Sequence, residues 1–282
     1  WDKDNVHLDK VKLSYWDGQD TNKPTEAFKD GSFTMARLFP TSASYPETEK
    51  EYKDNIVYTQ QDSSTFLVGI NIDRQSYQYS SKTTDEQKKS TKKALLNKDF
   101  RQALAFGFDR TAYASQVNGA SGATKLLRNL FVPPAFVQAD GKNFGEMVKE
   151  KLVTYGDEWS NVNLADAQDG LYNPDKAKAE FAKAKAALQA EGVQFPIHLD
   201  MPVDQTNTTK VQRVQSFKQS LEATLGAENV VVDIQQLQKD DVLNITYFAE
   251  TAAGEDWDIS DNVGWSPDFA DPSTYLDIIK PS

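Results

Sequence analysis

Between Asn173 and Ile234 the hydrophobic period changes twice, and that change limits the architecture more than any other feature of the chain. In NPDKAKAEFAKAKAALQAEG, Asn173 is placed to cap a helix, Pro174 takes the first helical position and Gly192 ends it. Ala177, Phe181, Ala184 and Leu188 recur on one helical face and form a candidate core stripe. The period then drops to two. In FPIHLDM, Phe195, Ile197, Leu199 and Met201 share one face of a strand. A second helix carries Val211, Val214, Leu221 and Leu225 and stops at Gly226; VVVDI (Val230–Ile234) is the next strand. KDDVLNITYFAE reads as a short helix and DWDISDNVGW as a third strand. The order β-α-β-α-β predicts a mostly parallel, layered α/β domain. In such sheets ligands bind beyond the carboxyl ends of the strands. GWSPDFADPSTYL (Gly264–Leu276) follows the third strand and is expected at such an end.

The first half is less regular. Residues 1–60 read as strands and polar turns, with VKLSYW and NIVYTQ as the β-rich pieces. Ser64–Ile72, STFLVGINI, is rich in β-branched and aromatic residues and is a strand candidate. Asp73–Lys93 is polar and charged, which predicts an exposed loop leading into a helix. In DFRQALAFGFDR, Asp99 can cap a helix with Gln102 in the capping-box position. Phe100, Ala103, Leu104, Gly107 and Phe108 fall on its one apolar face. Asp109 is a second cap, and Asn118-Gly119 stops that helix. Residues 120–170, broken by Pro133-Pro134 and Asp140-Gly141, should hold short helices in a packed surface region.

Composition narrows the chemistry. The 282 residues suggest about two domains or one large α/β unit. There is no cysteine, which removes disulfides, thiolate catalysis and cysteine metal sites. A net charge of −11 argues against nucleic acid as a partner, because phosphates need lysine and arginine. The start at Trp1, without a charged n-region or apolar h-region, suggests a mature chain or an excised piece. The histidines, His7 and His198, are expected at the surface or a strand edge. No G-x-S-x-G, H-E-x-x-H or P-loop pattern occurs, and nothing selects a catalytic pair among the 42 acids. No catalytic residue, cofactor or metal site is therefore expected. One unusual placement remains, Asp268 between Trp265 and Phe269. A carboxylate in a partly apolar cleft pairs well with an ammonium group, and aromatic faces attract cations. The alternative is a structural loop with a capping aspartate.

Four segments, taken in order, resemble the extracellular oligopeptide-binding proteins that feed ABC importers, the peptide and nickel branch of the solute-binding proteins. They are YWDGQDTNKPTEAFKDGSF, DFRQALAFGFDR, YNPDKAKAEFAKA and GWSPDFADPSTYL. FVPPAFV and DAQDGLYNP look most like the streptococcal Ami/Ali-type lipoproteins. The resemblance implies a periplasmic-binding-protein-like α/β fold whose two lobes, of type II, close on an extended peptide. It also implies an incomplete chain, with residues 1–62 a β-rich remnant of the first lobe and 63–282 most of the second. By the same resemblance Asp268 binds the peptide's α-ammonium and Trp265 lines a side-chain pocket. The backbone at Gly264 and Ser266 would meet the peptide as an added strand. Pro267 departs from the family's usual small residue and has no N–H to donate. Phe269 stands where a tyrosine is more usual, and Arg101 and Asp109 match family positions that read as structural.

The partners implied are an oligopeptide and a membrane ABC permease, at the cell surface, for a binding protein that is not an enzyme; the piece itself is expected to be monomeric. The piece alone should bind weakly or not at all. The readings left open are a secreted carboxylate-dependent hydrolase, or the same fold holding a sugar, a metal chelate or a signalling peptide.

Overall fold

The computed structural model describes residues 3–58 and 61–279. Its core is the parallel pair β4 (Ile197–Asp204) and β5 (Val230–Leu237), in register from Ile197 opposite Val230 to Asp204 opposite Leu237. Helix α8 (Thr208–Leu225) makes the crossover and packs on both strands. Helices α3 (Asp85–Leu96), α4 (Lys98–Gly107) and α7 (Pro174–Ala190) complete the layer, α3 against β4 and α7 against α4. The expected stripe of α7 is buried, and so are Ile197, Leu199 and Met201 of β4. Asn173 caps α7 by accepting from the Lys176 N–H at 3.0 Å.

The third strand departs from expectation. β6 (Ile259–Trp265) does not extend the parallel pair; it runs antiparallel to β1 (Thr65–Ile70), with Thr65 opposite Trp265 and Ile70 opposite Ile259. The residue before β6 ties its start to β4, where the Asp258 N–H donates to the Asp200 carbonyl at 3.0 Å. Beyond it the register slips between Leu67 and Gly69, so that Val68 faces both Asp261 and Asn262. A bulge of this kind bends a strand and strengthens its twist, and β6 keeps β1, not β4, as its ladder partner. The described sheets are therefore two-stranded, and the Gly264–Leu276 motif ends an antiparallel ribbon rather than a parallel sheet.

Other corrections are local. Residues 11–16 form no strand, and neither do the described residues of NIVYTQ; its last two residues, 59 and 60, lie outside the described residues. A strand needs a neighbour for its N–H and C=O groups. None runs beside this stretch among the described residues, and Leu13 and Tyr15 are almost fully exposed, at 91% and 94%. Helices α1 (Lys23–Lys29) and α2 (Tyr45–Glu51) are found instead. Asn97, in extended conformation between α3 and α4, caps α4 through the Phe100 N–H at 2.9 Å, and Asp99 lies inside the first turn. Asp109 does cap α5 (Arg110–Gly122), whose backbone leaves helical angles at Gly119. The irregular middle holds a short hairpin of β2 (Gln138–Ala139) and β3 (Lys142–Asn143), then α6 (Phe144–Leu152). Helix α9 (Lys239–Ile245) precedes β6, and α10 (Ser273–Leu276) follows it. Every fully buried member of the main apolar cluster lies between Ala94 and Ile259.

Candidate functional site

The site is built on β6, and β6 is held from behind by buried charge. Arg74 and Lys82 come from the loop between β1 and α3, the stretch whose composition predicted exposure. Both are only 4% exposed. The Arg74 guanidinium forks to Asp200 and Asp256, each at 2.6 Å, and lies 2.9 Å from Asp258. The Lys82 ammonium bridges Asp200, at 2.6 Å, and Asp258. Asp200 also accepts from the Ser80 hydroxyl and from the N–H and hydroxyl of Ser81. Burial alone would raise the Asp200 carboxyl; the Lys82 charge and these hydrogen bonds outweigh it and hold the group well below the usual range. The loop's charges are thus matched to acids at β4 and at the entry to β6.

The bulge is fixed on both sides. Asp261 accepts from the Tyr113 hydroxyl of α5 at 2.8 Å and from Arg213 of α8 at 2.6 Å. Burial, then the Asp261 charge, pushes the Tyr113 phenol well up, so it remains a donor. Asn262 donates to the Thr246 hydroxyl at 3.0 Å, just past α9. The strand that follows is clamped where it turns.

The four sequence-predicted residues then fall together at the ribbon's end. Gly264 lies opposite Phe66, and a Cβ there would stand 2.5 Å from the Phe66 ring, so that exposed ring would have to shift. Trp265 is half-buried, and its indole N–H donates to the Thr274 carbonyl at 2.5 Å. The Ser266 hydroxyl pairs with that of Ser64 at 2.9 Å. The Asp268 N–H donates to the Thr274 hydroxyl at 2.8 Å. Buried Thr274 therefore closes the turn on both aromatic and acid, while Tyr275 anchors α10 to the Ser63 carbonyl. Proline at 267 removes a donor, and the N–H beside it is already committed to Thr274. The Asp268 carboxylate faces solvent and has no partner among the described residues. Phe269 is 55% exposed beside it. Arg101 is structural, donating to the Leu95 carbonyl at 2.7 Å. His198 sits at the edge of β4 on Asp233, 2.8 Å away, and is not part of this site.

Next to the turn, between the β1–β6 ribbon and the stretch after α9, is a cleft of about 380 Å³. Its lining includes Val263 and Gly264 of β6 together with Tyr247, Glu255 and Trp257. Sequence reading missed both this cleft and the buried charges. The available signals were Asp256 and Asp258 flanking Trp257 just before a strand, and Asp200 between Leu199 and Met201.

The whole chain, residues 1–282, matches the family model described as bacterial extracellular solute-binding proteins, family 5 Middle. It is 85% identical to the oligopeptide-binding protein AliA of Streptococcus pneumoniae serotype 4, over all of this chain and 43% of that protein. It is 72% identical to the oligopeptide-binding protein SarA of Streptococcus gordonii, over 100% of this chain and 42% of that protein. Among solved structures, Listeria monocytogenes OppA bound to peptide aligns with a TM-score of 0.59 at 22% identity, covering 99% of this chain and 44% of that one. The substrate-binding domain of a Bacillus anthracis oligopeptide ABC transporter aligns with a TM-score of 0.58 at 22% identity, covering 93% of this chain and 40% of that one. The chain thus spans less than half the length of these relatives.

Proposed function

The chain belongs to the bacterial extracellular solute-binding proteins, family 5, and from that membership we propose that it is the greater part of the second lobe of an oligopeptide receptor serving an ABC importer. In this reading residues 1–62 belong with the first lobe and 63–282 with the second. The restriction of the main core to the span between Ala94 and Ile259 supports that division. The receptor works outside the membrane, captures peptides, closes its lobes on them and presents them to the permease without chemical turnover. The relatives named as oligopeptide-binding proteins support the ligand class.

The observation that carries the reading is Asp268, an exposed carboxylate with no partner among the described residues, at the end of an antiparallel ribbon. An extended peptide laid along that ribbon adds main-chain hydrogen bonds whatever its side chains, and its free amino end reaches Asp268. Closure of the two lobes over the pair would reduce its solvation, which strengthens a charge-assisted hydrogen bond.

Calorimetry on the full-length receptor tests this with an unblocked peptide and its N-acetylated form. Removing one partner of a desolvated ion pair typically costs ~3–5 kcal/mol. At about 1.4 kcal/mol per decade, Asp268→Ala should weaken binding of the unblocked peptide on the order of a hundredfold or more. The acetylated peptide, which has no ammonium to lose, should change little. Equal affinities of wild type and variant for the unblocked peptide would remove Asp268 from the site.

A further inference from the structure

We propose that the cleft beside β6 is a subsite for a basic side chain, lysine or arginine, of the bound peptide, with Glu255 as its counter-ion. The inference rests on the peptide reading above and names a preference within it. Gly264 lines the cleft and lies in β6, just before the turn that carries Asp268. A peptide extended along β6 to reach Asp268 therefore passes the mouth of this cleft.

The lining selects the chemistry. Glu255 is half-buried, and its carboxylate has no hydrogen-bond or ionic partner among the described residues. Burial, and to a smaller degree the nearby charge of Asp73, pushes its carboxyl up. Its neighbour Asp256 holds Arg74, and nearby Asp73 holds Lys92 at 3.0 Å, so both of these cations are engaged with other carboxylates. Trp257 is 8% exposed and forms an apolar wall, while Tyr247 is 68% exposed and presents its ring at the rim. On the ribbon side Gly69 contributes no side chain, and a Cβ there would stand 3.0 Å from Val263 Cγ2 and 3.7 Å from Trp257 Cη2. The missing side chain keeps that wall open.

A cleft of about 380 Å³ has room for a four-carbon stem with its terminal cation. The stem packs on Trp257, as long basic side chains do on apolar surface, and the head meets the carboxylate and an aromatic face. A purely apolar side chain would desolvate Glu255 further with nothing in return. An acidic side chain would add like charge to a protein already at net −11.

The test is calorimetry on the full-length receptor with a peptide in which lysine replaces norleucine at one position at a time. At one position lysine should bind about tenfold tighter than norleucine or better, the range of a hydrogen bond to a charged group. In Glu255→Gln that preference should vanish, with affinity for the norleucine peptide unchanged or improved. The norleucine peptide also reports that the variant is folded. Tight binding of every peptide with no lysine preference anywhere in the wild type would overturn the subsite and leave the receptor reading intact. A preference that survives Glu255→Gln would overturn the role of Glu255. Failure of all the peptides to bind the wild type would take the receptor reading and the subsite down together.

Discussion

Replacing Lys82 by methionine is the sharpest test of how β6 is held. Lys82 has no exposed side-chain surface, and the groups it bridges, Asp200 and Asp258, are 0% and 3% exposed. In the folded protein two cations, Arg74 and Lys82, face three carboxylates, Asp200, Asp256 and Asp258. Methionine keeps the volume of the stem and leaves one cation against three acids. Losing one partner of a buried pair costs ~3–5 kcal/mol. The lower end applies here, because Arg74 still reaches Asp200 and Asp258, and Asp258 keeps the Asp200 N–H at 2.8 Å. Urea unfolding of this chain should therefore show a loss of about 3 kcal/mol, with Lys82→Met plus Asp258→Asn losing less than Lys82→Met alone. Acid should sharpen the difference. Asp200 is held below its unfolded value near 3.9, so its contribution is complete above that pH and is lost as pH falls toward the lower folded value. Without Lys82, burial works against the charged form with less opposition, and the acid transition should move to higher pH. A loss below about 1 kcal/mol, with an unmoved acid transition, would refute the claim that this lysine neutralises the cluster.

Two local changes probe the frame further. In Gly170→Ala the new Cβ would stand 1.7 Å from the Asn163 carbonyl oxygen, a backbone atom, so the loop must shift. The cost should be ~1–3 kcal/mol by urea unfolding, and a neutral result would contradict the packing of residues 163–170. Asn173→Ala removes the cap on the Lys176 N–H and should cost ~1 kcal/mol, while Asn173→Asp keeps an acceptor and should cost less; thermal unfolding compares them.

What could be read from the sequence follows from what local patterns encode. The stripe of α7, its Asn173 cap and the apolar phase of β4 depend on neighbours within a turn or two, and period alone exposes them. The direction of β6 was misread because its partner, β1, lies nearly two hundred residues earlier, and strand order along the chain carries no pairing information. The loop at Asp73–Thr84 was misread for a related reason. Arg74 and Lys82 look solvated by composition, and only acids more than a hundred residues away explain their burial. Asp200 sits on the polar phase of a strand, yet both faces of β4 are covered. Of the candidate residues, Gly264, Trp265, Ser266 and Asp268 were legible because they fall in one short motif. Glu255 was not, since nothing near it in sequence says that Tyr247 and Trp257 converge with it on the β1–β6 ribbon.

The acids around β6 fall into two electrostatic classes, and under the proposed function that division would separate stability from recognition. Asp256, Asp258 and Asp261 each meet a cation of the fold at short range. Glu255, before the strand, and Asp268, after it, meet none among the described residues. A buried acid without a cation would destabilise the fold, whereas one that reaches solvent stays hydrated and costs little. Exposed Asp268 can therefore remain unpaired with little penalty to folding, and in the proposed receptor an incoming ammonium would have no cation of the fold to displace from it. The clamped rear limits how far β6 can relax toward any other partner, which keeps the open acids in position for one. The two classes should consequently separate in paired measurements. Asp268→Ala should leave unfolding free energy within about 0.5 kcal/mol of wild type while weakening peptide binding. Lys82→Met should lower stability first and affect binding only as far as β6 shifts. A large stability loss on Asp268→Ala would mean that its carboxylate has a structural partner, and the separation would not hold.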